Sequence, residues 1–247
     1  MIRELNFKDG ILDGLPIGLG YLSVSFGFGV MAKSMGFSVL QSVIISGTNL
    51  ASAGQVAGIT IISACGTLVE IILAMLVINL RYSLMALTLT QKLDSSFNTP
   101  MRALCAVFIT DEIFAVSSSK PRINTKYFLG LALLPYIGWT GGTLLGAVAG
   151  EILPSSISSA LGIAIYGMFI AIFVPPARKF SGALIAVIIA SLLSCIIKYT
   201  PFLSFISDGF SIIICAVVAA AAAAKLKPIF ADVEEPSANQ DGGDDKK

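Results

Sequence analysis

The chain has 247 residues, 55% hydrophobic and 13% charged, with no histidine and a formal net charge of +1. Soluble domains carry about a quarter charged residues, so a bilayer is the expected solvent, and the near-zero charge leaves no electrostatic case for nucleic acid. Lacking histidine, and with Cys65, Cys105, Cys195 and Cys215 scattered through apolar runs, the chain is expected to hold no metal and no cofactor and not to be an enzyme.

The first sixteen residues, "MIRELNFKDGILDGLP", carry charge and no cleavable apolar core, so residues 1–13 read as a cytoplasmic N-terminal segment. A first helix is expected over about 14–32, with Pro16 near its start and glycines along its length. A second apolar stretch covers about 38–63, and its middle, "SGTNLASAGQVAG", is small and polar for a lipid-facing helix. A third runs over about 66–90 with Glu70, Asn79 and Arg81, and a fourth over about 102–118 with Asp111 and Glu112. A basic loop, "SKPRINTK", leads to a fifth helix at about 127–149. A sixth at about 157–174 ends at Pro175-Pro176; a seventh and an eighth follow at about 181–197 and 205–224.

Uncharged runs support these spans. Thirty-six residues separate Lys33 from Glu70, and twenty-six separate Glu151 from Arg178, where roughly 20 suffice to cross the hydrocarbon. The expected fold is therefore all-α, a polytopic transmembrane bundle of seven or eight spans with at least one discontinuous helix. The transmembrane domain covers 14–224, and 225–247 form a polar, disordered tail. With eight crossings, nine Lys and Arg up to Lys227 fall on the side of the N-terminus and four (Lys33, Lys92, Arg102, Lys198) on the other. That bias puts both termini in the cytoplasm and the protein in the cytoplasmic membrane. A re-entrant stretch would upset the count, and 38–63 is the candidate. An internal echo adds a possible repeat: "LPIGLGYLSVSFGFG" at 15–29 resembles "LPYIGWTGGTLLGAV" at 134–148, an offset of 119.

Charge at mid-bilayer costs ~2.5–3.5 kcal/mol on insertion scales and normally faces a partner or a wet cavity. Arg81 is expected to neutralise Asp111 or Glu112, either as a substrate lining or as a structural ion pair. Asn79 lies about 200° around the helix from Arg81 and does not share its face. Glu70 opens the third helix, where a carboxylate either complements the dipole or carries a proton or cation. Residues 45–58 invite a helix break that offers amides to a carboxylate and carbonyls to an ammonium, the two ends of an amino acid. The alternative is tight helix packing, with Asn49 and Gln55 as interhelical bonds. On the first reading Ser46, Gly47, Thr48, Asn49, Ser52 and Gln55 hold the substrate ends and Phe26 helps enclose its side chain.

In order along the chain, "GLPIGLGYLSVSFGFGVMAKSMG", the small-polar segment ending at Gln55, "NLRY", "TDEIFA" and "GWTGGTLLGAVAG" resemble the AzlC family, the large subunit of branched-chain amino acid permeases. The resemblance covers about 10–200. Asn79, Leu80, Arg81, Thr110, Asp111 and Glu112 carry its most specific elements. This chain departs from the family pattern at Leu50 and Ser52, where a tyrosine and a glycine are usual. The resemblance implies export of branched-chain and related apolar amino acids, and a small AzlD-type membrane partner. No Walker A loop is present, so an ion gradient is the expected drive. The alternative function is a structural membrane subunit that scaffolds its partner without a substrate site of its own.

Overall fold

Two glycine-rich helices form the axis of the bundle. The structure, a computed structural model, describes residues 5–154, 166–167, 169–170, 173–203 and 205–227. Helix α1 (Phe7–Ser34) starts on a reciprocal cap between Asn6 and Asp9, and α7 (Thr125–Ile152) starts on Asn124. Asn124 Nδ2 donates to the Leu5 carbonyl at 2.6 Å, so both helices begin at one end of the molecule. They run parallel, backbone against backbone. Gly10 faces Gly130, Gly138 faces Gly18, Gly142 faces Leu22 and Gly146 faces Phe26, each pair 120 positions apart. The sequence echo at offset 119 therefore marks two helices that pack on each other. Glycine is required here because any Cβ would overlap the opposing carbonyl oxygens. At the far end Lys33 pairs with Glu151 at 2.5 Å.

The second stretch is not one span. It forms α2 (Val39–Thr48) and α3 (Ser52–Ser63), broken at 49–51. At 1.5 Å per residue these are about 15 and 18 Å long, half of a ~30 Å hydrocarbon layer each. Helix α2 leaves the far end of α1 and descends until Ser46 meets Trp139 and Thr143 midway along α7. Helix α3 turns back, because its Ile59 packs on Phe28, Met31 and Ala32 with Met35 and Phe37 beside them. The pair is a re-entrant hairpin that enters and leaves by the far end.

Helix α4 (Leu68–Thr90) then runs antiparallel to α1, and its Leu89 reaches Tyr127, Phe128 and Leu131 near the start of α7. A continuous fourth span is also absent. In its place stand α5 (Thr99–Ala106) and α6 (Asp111–Ser119), a second hairpin from the opposite end. Backbone bonds close its base: Asp94 donates to Ile123 at 3.0 Å and Ile123 to Lys92 at 2.9 Å. Its rising arm brings Phe108 edge-on to Tyr136 at 5.5 Å, and its returning arm ends where Lys92 Nζ donates to the carbonyls of Ser118 and Lys120.

Helices α8 (Ser181–Tyr199) and α9 (Asp208–Leu226) form an antiparallel pair, with Lys198 and Asp208 3.7 Å apart at one end and Gly182 beside Lys227 at the other. Among the described residues five helices, α1, α4, α7, α8 and α9, are long and apolar enough to cross a membrane. The all-α transmembrane bundle with discontinuous helices stands. Most of the expected sixth helix, and residues 228–247 of the expected tail, lie outside the described residues. Residues 173–179 are helical, so Pro175 and Pro176 do not end that helix; proline's fixed φ is itself helical. Helix α1 also begins well before residue 14, because Asn6 caps it. The two hairpins move Lys92 and Arg102 to the near end. Among the described residues Lys8, Lys92, Arg102, Lys120, Arg122, Lys126, Arg178, Lys179, Lys225 and Lys227 sit there, against Lys33 and Lys198 at the far end.

Candidate functional site

The tips of the two hairpins arrive at the same depth from opposite ends, and a cavity of about 420 Å³ lies between them. The first hairpin supplies Leu50, Ser52 and Ala53; the second supplies Thr110, Asp111 and Glu112. Tyr21 and Val24 of α1, Arg81 and Tyr82 of α4, Trp139 of α7 and Phe169 complete most of the wall. The lining combines a charged cluster with an apolar one.

The charged cluster is a connected set. Arg81 Nη2 lies 2.9 Å from Asp111 Oδ2 and donates to Tyr82 Oη at 3.1 Å, while its guanidinium stacks over the Tyr82 ring at 4.9 Å. The Tyr21 hydroxyl donates to Glu112 and lies 2.7 Å from Thr110 Oγ1. Thr110 also caps α6 through the Ile113 N–H. Asp111 and Glu112 thus occupy the first turn of a half-helix, where backbone N–H groups favour negative charge. The pairing expected for Arg81 is present. It arises because the hairpin lifts Asp111 to the depth of Arg81, not because two full-length helices lie antiparallel.

The apolar lining is Ile17, Val24, Leu50, Trp139 and Phe169. Leu50 and Trp139 are buried against Tyr21, whose ring meets the indole edge-on at 5.1 Å.

Of the residues singled out from sequence, Ser52, Arg81, Asp111 and Glu112 line the vestibule. Ser46 and Gly47 do not; they bind α2 to α7. The Ser46 carbonyl accepts from Trp139 Nε1 at 3.1 Å and its hydroxyl from Thr143 at 2.8 Å, and the Gly47 carbonyl accepts from Tyr136 at 3.3 Å. The Thr48 hydroxyl returns to the Ile44 carbonyl, and the Asn49 amide turns to the Met75 sulfur. The carbonyls of Ser46 and Gly47 are therefore engaged with α7. Phe26 does not line the cavity, and its backbone rests on Gly146 of α7. Glu70 is a helix cap at the far end: it closes α4 reciprocally with Thr67 and accepts from Ser207 at 2.6 Å. It stands apart from the vestibule, because the start of α4 lies about a half-membrane away from Arg81. Asn79 does not line the cavity, and among the described residues its buried Oδ1 has no partner. Gln55 is fully buried, and among the described residues neither amide atom has a partner; it does not line the cavity.

Sequence reading missed Tyr21 and Trp139. A signal existed, since Trp139 is the single tryptophan of the chain and both residues fall inside the repeated Gly-rich run.

Fold and vestibule together define a polytopic α-helical membrane protein built around two opposed re-entrant hairpins. Residues 16–153 match the AzlC protein family, and the chain belongs to it. It is 36% identical over 175 residues to a membrane protein of Archaeoglobus fulgidus, covering 70% of this chain and 77% of that one. It is 30% identical over 171 residues to the inner membrane protein YgaZ of Escherichia coli, covering 66% and 70%. A Helicobacter pylori membrane protein is 31% identical over 150 residues, 59% of this chain and 64% of its own. No solved structure matches the chain.

Proposed function

We propose that this chain is a secondary transporter subunit that exports branched-chain and related apolar amino acids across the cytoplasmic membrane, driven by an ion gradient. AzlC membership supports membrane transport as the general role and speaks against an enzyme. The observation that carries the finer reading is the vestibule. Its volume suits a small ligand, and its lining joins the charged Arg81, Asp111 and Glu112 with an apolar cluster of Leu50, Val24 and Trp139. An apolar amino acid has that same division of charged head and greasy side chain. Opposed half-helices at mid-depth are also what alternating access needs, since either tip can withdraw toward its own face.

Among the described residues, the ten-to-two excess of Lys and Arg at the near end supports a cytoplasmic location for that end, with the start of α1 and the end of α9. A small AzlD-type membrane subunit is the expected partner. Export of labelled leucine from preloaded cells tests the proposal. The double variant Asp111→Asn with Glu112→Gln should stop efflux while the protein still reaches the membrane. Undiminished efflux in that variant removes the charged lining from the mechanism.

A further inference from the structure

A second cavity, of about 480 Å³, lies behind the second hairpin, between the near-end half of α4 and the rising arm α5. Its floor is Leu89, Phe97, Cys105 and Phe128, all buried in one apolar cluster. Its rim is exposed, with Leu87 on α4 and Ala103 and Ala106 on α5. Leu87 continues the outward row of Leu76, Leu80 and Leu84, each more than half exposed, so the groove opens onto the surface that meets lipid. An apolar groove left empty forfeits dispersion contacts along its lining, and within the bilayer hydrocarbon takes the place of water.

The groove is not apolar throughout. Arg102 lines it at the near end, in the first turn of α5, where Thr90 closes α4 and Thr99 opens α5. Arg102 Nε donates to the Phe97 carbonyl at 3.1 Å, and among the described residues its terminal nitrogens have no partner and no carboxylate pairs with it. A guanidinium with donors to spare suits a phosphate. Charge at the mouth and hydrocarbon beyond it is the division of a phospholipid, and basic pockets between helices on the cytoplasmic side bind anionic head groups.

We propose that this groove seats one anionic phospholipid of the cytoplasmic leaflet, with its phosphate on Arg102 and an acyl chain along the floor of Leu89, Cys105 and Phe128. The site bears on transport through one peptide bond. Ile109 lines the groove, and Thr110, the next residue, lines the vestibule. The bound chain therefore buttresses the tip of the second hairpin from behind. The site is independent of which substrate the vestibule takes.

Native mass spectrometry of the purified full chain, titrated in detergent with dioleoyl phosphatidylglycerol or dioleoyl phosphatidylcholine, counts the bound lipid. One phosphatidylglycerol per chain is expected, held in preference to phosphatidylcholine. Arg102→Gln is expected to weaken it about tenfold, the loss attending a removed charge-assisted hydrogen bond. Arg102→Lys keeps the charge without the planar fork and should fall between. Ala106→Phe puts a ring into the groove and should remove the lipid with Arg102 intact. Lys126→Gln removes an exposed near-end cation that does not line the groove and should change nothing. If Lys126→Gln weakens retention as much as Arg102→Gln, diffuse surface charge holds the lipid and the proposal fails. It fails equally if Ala106→Phe still carries the lipid, or if phosphatidylcholine is held as well as phosphatidylglycerol. A wild-type chain that retains neither lipid overturns it and leaves the groove to a protein partner.

Discussion

Substituting Gly14 by alanine tests the parallel pairing of α1 and α7. A Cβ at Gly14 lies 2.5 Å from the Leu131 carbonyl oxygen and 3.3 Å from Pro135 Cδ. Carbon–oxygen contacts settle near ~3.3 Å, so the helices must part locally by roughly 0.8 Å. Overpacking of this kind costs ~1–3 kcal/mol. Alanine recovers up to about 1 kcal/mol of helix propensity in return. Gly141→Ala is the internal control, because its Cβ meets nothing within 4 Å and it keeps the propensity gain alone. The two variants should therefore differ by ~1–3 kcal/mol, or roughly 2–12 °C in unfolding midpoint for a chain of this size. Thermal unfolding in detergent, followed by Trp139 emission, reads the difference. Equal midpoints for Gly14→Ala and Gly141→Ala would refute the close approach of the two backbones.

Tyr21→Phe removes the hydroxyl shared by Glu112 and Thr110 and should slow leucine export about tenfold with little change in unfolding midpoint; unchanged export would make that contact purely structural. Arg81→Gln strips Asp111 of its cation and should abolish export, whereas Arg81→Lys keeps the charge but loses the planar fork and should retain part of it. Leu50→Trp fills the apolar part of the vestibule and should exclude leucine before alanine in competition for uptake into proteoliposomes; equal loss of both substrates would assign Leu50 to packing alone.

The composition and the long uncharged runs made the membrane bundle legible, because the bilayer demands about twenty apolar residues per crossing and tolerates few charges. The break at 49–51 was also legible, since "GTNLASAG" is too small and polar for a lipid-facing span. The second break was not. Thr110 is followed by two acids, a helix-start pattern, but the apolar residues on both sides extend the hydrophobic run and hide it. Reading 102–118 as a span put Lys92 and Arg102 on the wrong face relative to Lys120. The closing bonds of that hairpin, between Lys92, Asp94 and Ile123, join residues some thirty apart, and no local periodicity reports them. The charged part of the site was visible because Arg81, Asp111 and Glu112 are expensive in lipid. Its aromatic part was not, because Tyr21 and Trp139 look like ordinary membrane residues until the hairpin tips fix their neighbours. Glu70 was ambiguous for the opposite reason: its cap partner Thr67 is local, but Ser207, which helps hold it, lies 137 residues away.

Each of the two hairpins enters and leaves by one face. Impermeant maleimide labelling in cells measures this directly, in single-cysteine versions of the chain: Ser95→Cys, Arg122→Cys, Ser34→Cys and native Cys65. Ser95→Cys and Arg122→Cys are expected to be protected in intact cells and to label only after permeabilisation, while Ser34→Cys and Cys65 label from outside. Labelling of Ser95→Cys and Arg122→Cys from opposite faces would make 99–119 a full crossing, pull the second tip away from the first, and leave no vestibule between them.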